Sequence, residues 1–163
     1  MRISHLLALL GGLAAASIVA STMGCASAPE RQVSLAQTFG SLPENLRPPP
    51  DAKLLSSGVG YKVLRQGDGQ RHTDAGSLVR VAYSGWQSDG TLFDSSQSHG
   101  KPQIFDLPKV VRGLSQGIVQ MVEGEVAKFW IPADLAYGES PPDARLPAGP
   151  LVFEIELLNI VRQ

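Results

Sequence analysis

The chain has 163 residues, of which 43% are hydrophobic and 18% charged, and its formal net charge is −1. That size suits one domain plus extras, and a near-neutral balance excludes the basic field expected of a nucleic-acid-binding protein. The one cysteine, Cys25, excludes an internal disulfide framework and a cysteine-cluster metal site, and His5, His72 and His99 are too scattered to suggest a histidine one.

Met1-Arg2 opens a short, weakly positive start, and Leu6 to Ala20 is an apolar run broken by small residues. The run falls short of the roughly 20 residues a membrane-spanning helix needs, so residues 1–25 are expected to be a secretory signal peptide. Thr22-Met23-Gly24-Cys25 resembles the lipobox of bacterial lipoproteins, with threonine at the usually leucine-like position. It marks Cys25 as the expected lipidation site, the alternative being ordinary cleavage near Ala26-Ser27-Ala28. Ala26, where an aspartate is absent, resembles lipoproteins sorted to the outer membrane.

Residues 26–57 are poor in aromatics and contain Pro48-Pro49-Pro50. Proline runs favour extended conformation without a packed core. The segment is expected to be a Pro-rich tether carrying the domain away from a membrane, with a short helix within Ser34 to Leu46. A segment docked on the domain is the alternative.

Residues 58–163 are expected to form the folded domain. Val59 to Arg65 alternates as a strand, Gly67-Asp68-Gly69 is a turn, and Leu78 to Gly85 is the next strand. Asp89-Gly90 predicts a two-residue hairpin turn, returning the chain through Leu92-Phe93 to Asp94. A polar loop from Ser95 to Lys101 precedes a short strand from Gln103 to Leu107. Val110 to Val122 carries the helical stripe Val111, Leu114, Ile118 and Met121, with Gly113 and Gly117 small enough for a sheet to pack close. Val126 to Ile131 is a strand ended by Pro132, Asp134 to Gly138 a short turn, and Glu139 to Pro150 a loop. Leu151 to Val161 is the last strand, with Leu151, Phe153, Ile155 and Leu157 facing one way and Glu154 and Glu156 the other. The fold class expected is α+β, a twisted antiparallel sheet wrapped around one short amphipathic helix.

The residues carry no nucleophile with a base and an orienting acid, no nucleophile elbow and no phosphate loop. They do offer aromatics and valines that could be core or could line a pocket: Tyr83, Phe93, Phe105, Val110, Val111, Leu114, Tyr137 and Phe153. Asp94 could be a site acid or could cap its loop.

Val81-Ala82-Tyr83-Ser84-Gly85, Gly90-Thr91-Leu92-Phe93-Asp94-Ser95-Ser96, Val110-Val111-Arg112-Gly113, Leu135-Ala136-Tyr137-Gly138 and Leu151-Val152-Phe153-Glu154-Ile155-Glu156-Leu157-Leu158 occur in this order from about Gly58 to the C-terminus. Together they resemble the FK506-binding-protein class of peptidyl-prolyl cis-trans isomerases, and the chain looks most like its bacterial envelope branch. The resemblance implies a proline-binding pocket in which Tyr83, Phe105 and Phe153 are aromatic walls, Val110 and Val111 line the side, and Leu114 is the floor. It further implies that the Val111 N–H and the Tyr137 hydroxyl bind the peptide and that Phe93 and Asp94 border the reacting amide. No metal or cofactor is implied.

Three departures bear on specificity. The floor is Leu114 rather than the tryptophan of the best-known members. His99 stands where an arginine often partners the acid, and a contact between it and Asp94 would depend on pH; a solvated loop histidine is the alternative. Arg145 lies near where apolar residues are common, leaving Leu146 as the expected apolar contact. The implied partners are proline-containing polypeptides, FK506-like macrolides and a membrane held through the lipid anchor. The chain lacks the long helical N-terminal region of dimerising envelope members, so a monomer is expected. The alternative function is a non-catalytic chaperone or assembly module that binds proline segments.

Overall fold

A computed structural model describes residues 34–69 and 73–162; the expected signal peptide and Cys25 lie outside the described residues. The order is helix α1 (Leu35–Phe39), strands β1 (Lys53–Leu54), β2 (Gly60–Arg65), β3 (Leu78–Trp86), β4 (Leu92–Ser95) and β5 (Gln103–Asp106), helix α2 (Arg112–Ile118), then β6 (Val126–Ile131) and β7 (Leu151–Arg162). Among the described residues the strands form one seven-stranded antiparallel sheet in the order β1-β2-β6-β7-β3-β4, with β5 also pairing β3. The α+β arrangement expected from the sequence is the one observed.

The core lies between the sheet and α2. Alternation on β3 turns Val79, Val81 and Tyr83 inward, where they meet Phe129 of β6, Ile155 and Leu157 of β7, and Leu114 and Ile118 of α2. The helix reaches the sheet because two of its inward positions have no side chain. A Cβ at Gly117 would lie 2.6 Å from the Phe129 ring, and one at Gly113 would collide with Ile131.

The helix is shorter than the stripe suggests. It covers residues 112–118 rather than 110–122. Val111 has extended backbone (φ −56°, ψ 141°) and precedes the first turn, behind a 3-10 turn over Leu107–Lys109 that contains Pro108. At the other end Gln120 and Met121 donate to Gly117 and Ile118, an i to i−3 tightening that closes the helix while keeping Met121 buried.

The β3–β4 hairpin also differs in its turn. Gly90 N–H donates to Gln87 C=O and Gln87 N–H to Thr91 C=O, so the loop has three residues, with Ser88 and Asp89 at its centre. Gly90, at φ +91°, completes it.

The described part of the expected tether is packed on the domain, so the folded body begins well before residue 58. Ser34 caps α1 with a reciprocal capping box to Gln37. Beyond it Phe39, Leu42 and Leu46 are buried against Trp130 and Val152 on the outer face of the sheet. The Trp130 indole N–H donates to the Leu46 carbonyl at 2.6 Å. Gly60 makes room for this strap, since a Cβ there would lie 2.9 Å from Leu35 and 3.1 Å from Trp130. The physical reason is the outward tryptophan: its apolar surface stays dry only if something covers it.

Leu42→Ala should therefore destabilise the protein by about 2–5 kcal/mol, the cost of a cavity at a buried leucine. Urea unfolding followed by tryptophan fluorescence measures it; a shift under about 0.5 kcal/mol, the surface-residue value, would return the segment to a free tether.

Candidate active site

Strand β3 is the spine of the site. Tyr83 is clamped at its backbone by Ser96, whose Oγ accepts from Tyr83 N–H at 3.0 Å and whose N–H donates to Tyr83 C=O at 2.9 Å. The side chain is fixed separately. Its hydroxyl donates to Asp94 Oδ2 at 2.6 Å, and its ring lies 4.9 Å from that of Phe105 at a 51° tilt.

Two residues on, Gly85 pairs with Asp94 on β4 and with Phe153 on β7. This brings Phe93 and Phe153 together edge to face, centroids 5.6 Å apart at 85°. A Cβ at Gly85 would lie 2.8 Å from the Phe153 ring and 3.0 Å from that of Phe93, so only glycine allows the pair. Phe93, Phe105, Val110, Val111 and Tyr137 are half-buried and pack on the cluster that contains Tyr83, Leu114 and Phe153. Leu114 is only 3% exposed, so it closes the cluster from below as part of the core. The structure thus gathers eight of the sequence-derived candidates into one apolar cluster. Leu146 is half-buried but outside that cluster, and Arg145 is turned to its neighbour Asp143, which accepts from its guanidinium and backbone.

Two donors are open at this surface. Val111 C=O receives Leu114 and Ser115 N–H at 3.0 and 3.1 Å, but its own N–H makes no hydrogen bond among the described residues. The same holds for the Tyr137 hydroxyl.

Asp94 is the charged member. Besides Tyr83 on Oδ2, Oδ1 accepts from Ser95 N–H at 2.8 Å and lies 3.0 Å from His99 Nε2. Burial, first, and the neighbouring carboxylate, second, push the Tyr83 hydroxyl well above its usual range, and the same two causes raise that of Tyr137. Both remain neutral donors at physiological pH. Among the described residues no group of three or more His, Cys, Asp or Glu is arranged to hold a metal ion.

Sequence reasoning missed Ser96 and Gly85 as supports of the site. The first left no signal beyond a serine pair. The second did, since glycine inside a strand marks a bulge or a close approach, and β3 shows a register shift there.

The structure is an antiparallel sheet wrapped on one helix, with an aromatic, largely uncharged cluster beside the helix N-terminus. The family model for FKBP-type peptidyl-prolyl cis-trans isomerases matches residues 69–158, more than half the chain, and the chain belongs to that family. A probable FKBP-type isomerase FkpA of Neisseria meningitidis is 39% identical over 109 residues, covering 66% of this chain and 40% of that relative. The isomerase Mip of Coxiella burnetii is 36% identical over 115 residues, covering 70% and 50%. The crystal structure of Escherichia coli FkpA superposes with a TM-score of 0.65 at 33% identity, covering 73% of this chain and 55% of that one. A Pseudomonas syringae isomerase structure gives 0.66 at 32% identity, covering 80% and 93%. The chain spans about half the length of the curated relatives it matches first.

The tyrosines make the electrostatics testable. All three in the chain are raised, Tyr61 to about 12, by burial and then by Glu125, which accepts from its hydroxyl at 3.1 Å. A group with a raised folded pKa contributes stability that is complete below its unfolded value and is lost as pH rises through the folded one. Absorbance at 295 nm should therefore stay flat past pH 10 in the native protein while the urea-unfolded protein titrates near 10, and stability should decline from about pH 10 towards 12. A native titration that overlays the unfolded one would contradict this.

Proposed function

We propose that the chain is a peptidyl-prolyl cis-trans isomerase that assists the folding of exported polypeptides. The observation that carries this reading is the apolar cluster of Tyr83, Phe93, Phe105, Val110, Val111 and Phe153 over Leu114, with the Val111 N–H and the Tyr137 hydroxyl free of hydrogen bonds among the described residues. An X–Pro bond isomerises slowly because amide resonance gives a barrier of roughly 18–20 kcal/mol. At the top of the barrier the amide is twisted, resonance is lost and the carbonyl is less polarised. A water-poor aromatic cleft disfavours the planar, polar ground state more than the twisted one, which is differential binding of the transition state. No proton needs to move.

In this reading the proline ring lies among Tyr83, Phe105 and Phe153 above Leu114. The Val111 N–H and Tyr137 hydroxyl donate to substrate carbonyls, and Phe93 and Asp94 border the reacting amide. The substrates are proline-containing polypeptides, and FK506-like macrolides compete for the cleft.

A protease-coupled assay on a prolyl tetrapeptide, run beside a refolding assay, tests the activity. Wild type should accelerate isomerisation. Tyr137→Phe should lower kcat/KM by roughly two- to tenfold, the worth of one neutral hydrogen bond, and Asp94→Ala should lower it as well. Peptide binding without acceleration would instead make the protein a proline-binding chaperone.

The same reading places the chain at the bacterial envelope, facing the periplasm, with residues 1–25 as signal and Cys25 carrying the lipid, in the outer membrane. It draws support from the lipobox-like Thr22-Met23-Gly24-Cys25 and from a 36% identical relative named outer membrane protein MIP in Legionella longbeachae. Wild-type protein expressed in a Gram-negative host should incorporate a labelled fatty acid and Cys25→Ser should not. Label in neither would leave ordinary secretion.

A further inference from the structure

We propose that His99 is a positioning residue for the acid at the rim of the cleft, and that its protonation tightens the site; this rests on the isomerase reading above. His99 Nε2 is 3.0 Å from Asp94 Oδ1, the oxygen that also accepts from Ser95 N–H, while Oδ2 holds the Tyr83 hydroxyl. Apart from the Ser96 clamp on the Tyr83 backbone, the other bonds of this loop close on the loop itself or its edges. Ser98 binds Ser95 through both N–H and Oγ, Gly100 N–H donates to Gln97 C=O, and the Gln103 amide donates to Lys101 C=O. Among the described residues the His99–Asp94 contact is the one side-chain link from the tip of the loop back to the acid. It therefore joins loop order to the orientation of Asp94, and through Oδ2 to the Tyr83 hydroxyl and ring.

The link changes strength with pH. A neutral imidazole can donate Nε2–H to the carboxylate, but an imidazolium adds the attraction of opposite charges to that bond, and histidine changes charge between pH 5 and 8. The other titratable groups facing Asp94 are Tyr83 from β3 and Tyr137 from the segment after β6. Both are raised from the ordinary tyrosine value, so neither titrates in that window. No other charged group makes an ion pair with Asp94 or His99 among the described residues. The His99 side chain is half-exposed. The site is held more firmly in acid and more loosely in alkali.

The experiment compares the full chain with His99→Arg, which keeps a permanent donor cation, and His99→Ala, which removes the link. In wild type kcat/KM should fall severalfold between pH 5.5 and 8. His99→Arg should stay flat near the acid level and His99→Ala flat near the alkaline level, with His5 and His72 untouched in both. A wild-type slope that persists in His99→Arg would overturn the proposal. The second readout does not need turnover. In NMR the Ser95 amide, which shares Asp94 Oδ1 with His99, should move between pH 5.5 and 8 in wild type and hold still in His99→Arg. Equal movement in both, or none in wild type, would also overturn it. If wild type shows no turnover while the Ser95 signal behaves as expected, the isomerase reading falls and the positioning role stands.

Discussion

The site hangs on one side chain held at both ends. Tyr83 has its backbone fixed by Ser96 and its hydroxyl by Asp94. A buried tyrosine needs a partner for its hydroxyl, because an unpaired buried donor costs about 1–3 kcal/mol. Asp94 meets that need and, in doing so, is kept from swinging into solvent. The two residues come from adjacent strands of one hairpin, so the short β3–β4 connection does the work of placing them. Phe105 leans on the Tyr83 ring from β5, which pairs with the same edge of β3 as β4, and Phe153 reaches Phe93 only because Gly85 lies between them without a side chain. Remove the fixed position of Tyr83 and the aromatic walls lose their common reference.

Much of this was legible in the sequence because it follows period and punctuation. The two-residue alternation of β3 and β7 placed Tyr83 and Phe153 on the inner face, and the stripe through Leu114 and Ile118 placed α2 against them. The helix ends were not legible, for a physical reason. Val111 and Met121 lie at helical spacing from Leu114 and Ile118, and both contribute apolar contact, but one does so from extended backbone and the other from a tightened turn. Apolar spacing reports which side chains face the core; it does not report the dihedral angles that bring them there. The extended backbone at Val111 has a consequence of its own, since it leaves that N–H outside the helix and open at the cleft.

The strap was misjudged by composition. Pro48-Pro49-Pro50 and a shortage of aromatics suggested a chain with nothing to bury. Yet Phe39, Leu42 and Leu46 recur at spacings of three and four, and the segment's partner was visible elsewhere, in Trp130 beside inward-facing Phe129 and in Val152 beside inward-facing Leu151 and Phe153. Two neighbouring strand positions that are both large and apolar cannot both face one core. They announce a sheet covered on both faces. The strap also reaches the functional hairpin: a Cβ at Gly90 would lie 3.3 Å from Pro43, so the turn that aims Phe93 and Asp94 rests against it.

A carboxylate beside an apolar cluster is an odd choice for the proposed reaction, which transfers no proton. A free acid there would compete for the substrate's donors and draw in water. The structure answers by occupying it. Tyr83 takes one oxygen, and Ser95 N–H and His99 share the other. With both oxygens engaged, the carboxylate's action is directional: it fixes Tyr83, and, after burial, its field adds to what disfavours ionisation of the Tyr137 hydroxyl. The acid is then a structural charge whose value to the proposed chemistry lies in what it holds still. A neutral side chain of similar shape could accept the same bonds but would hold them less strongly, since bonds to a charged acceptor are worth about twice those between neutral groups.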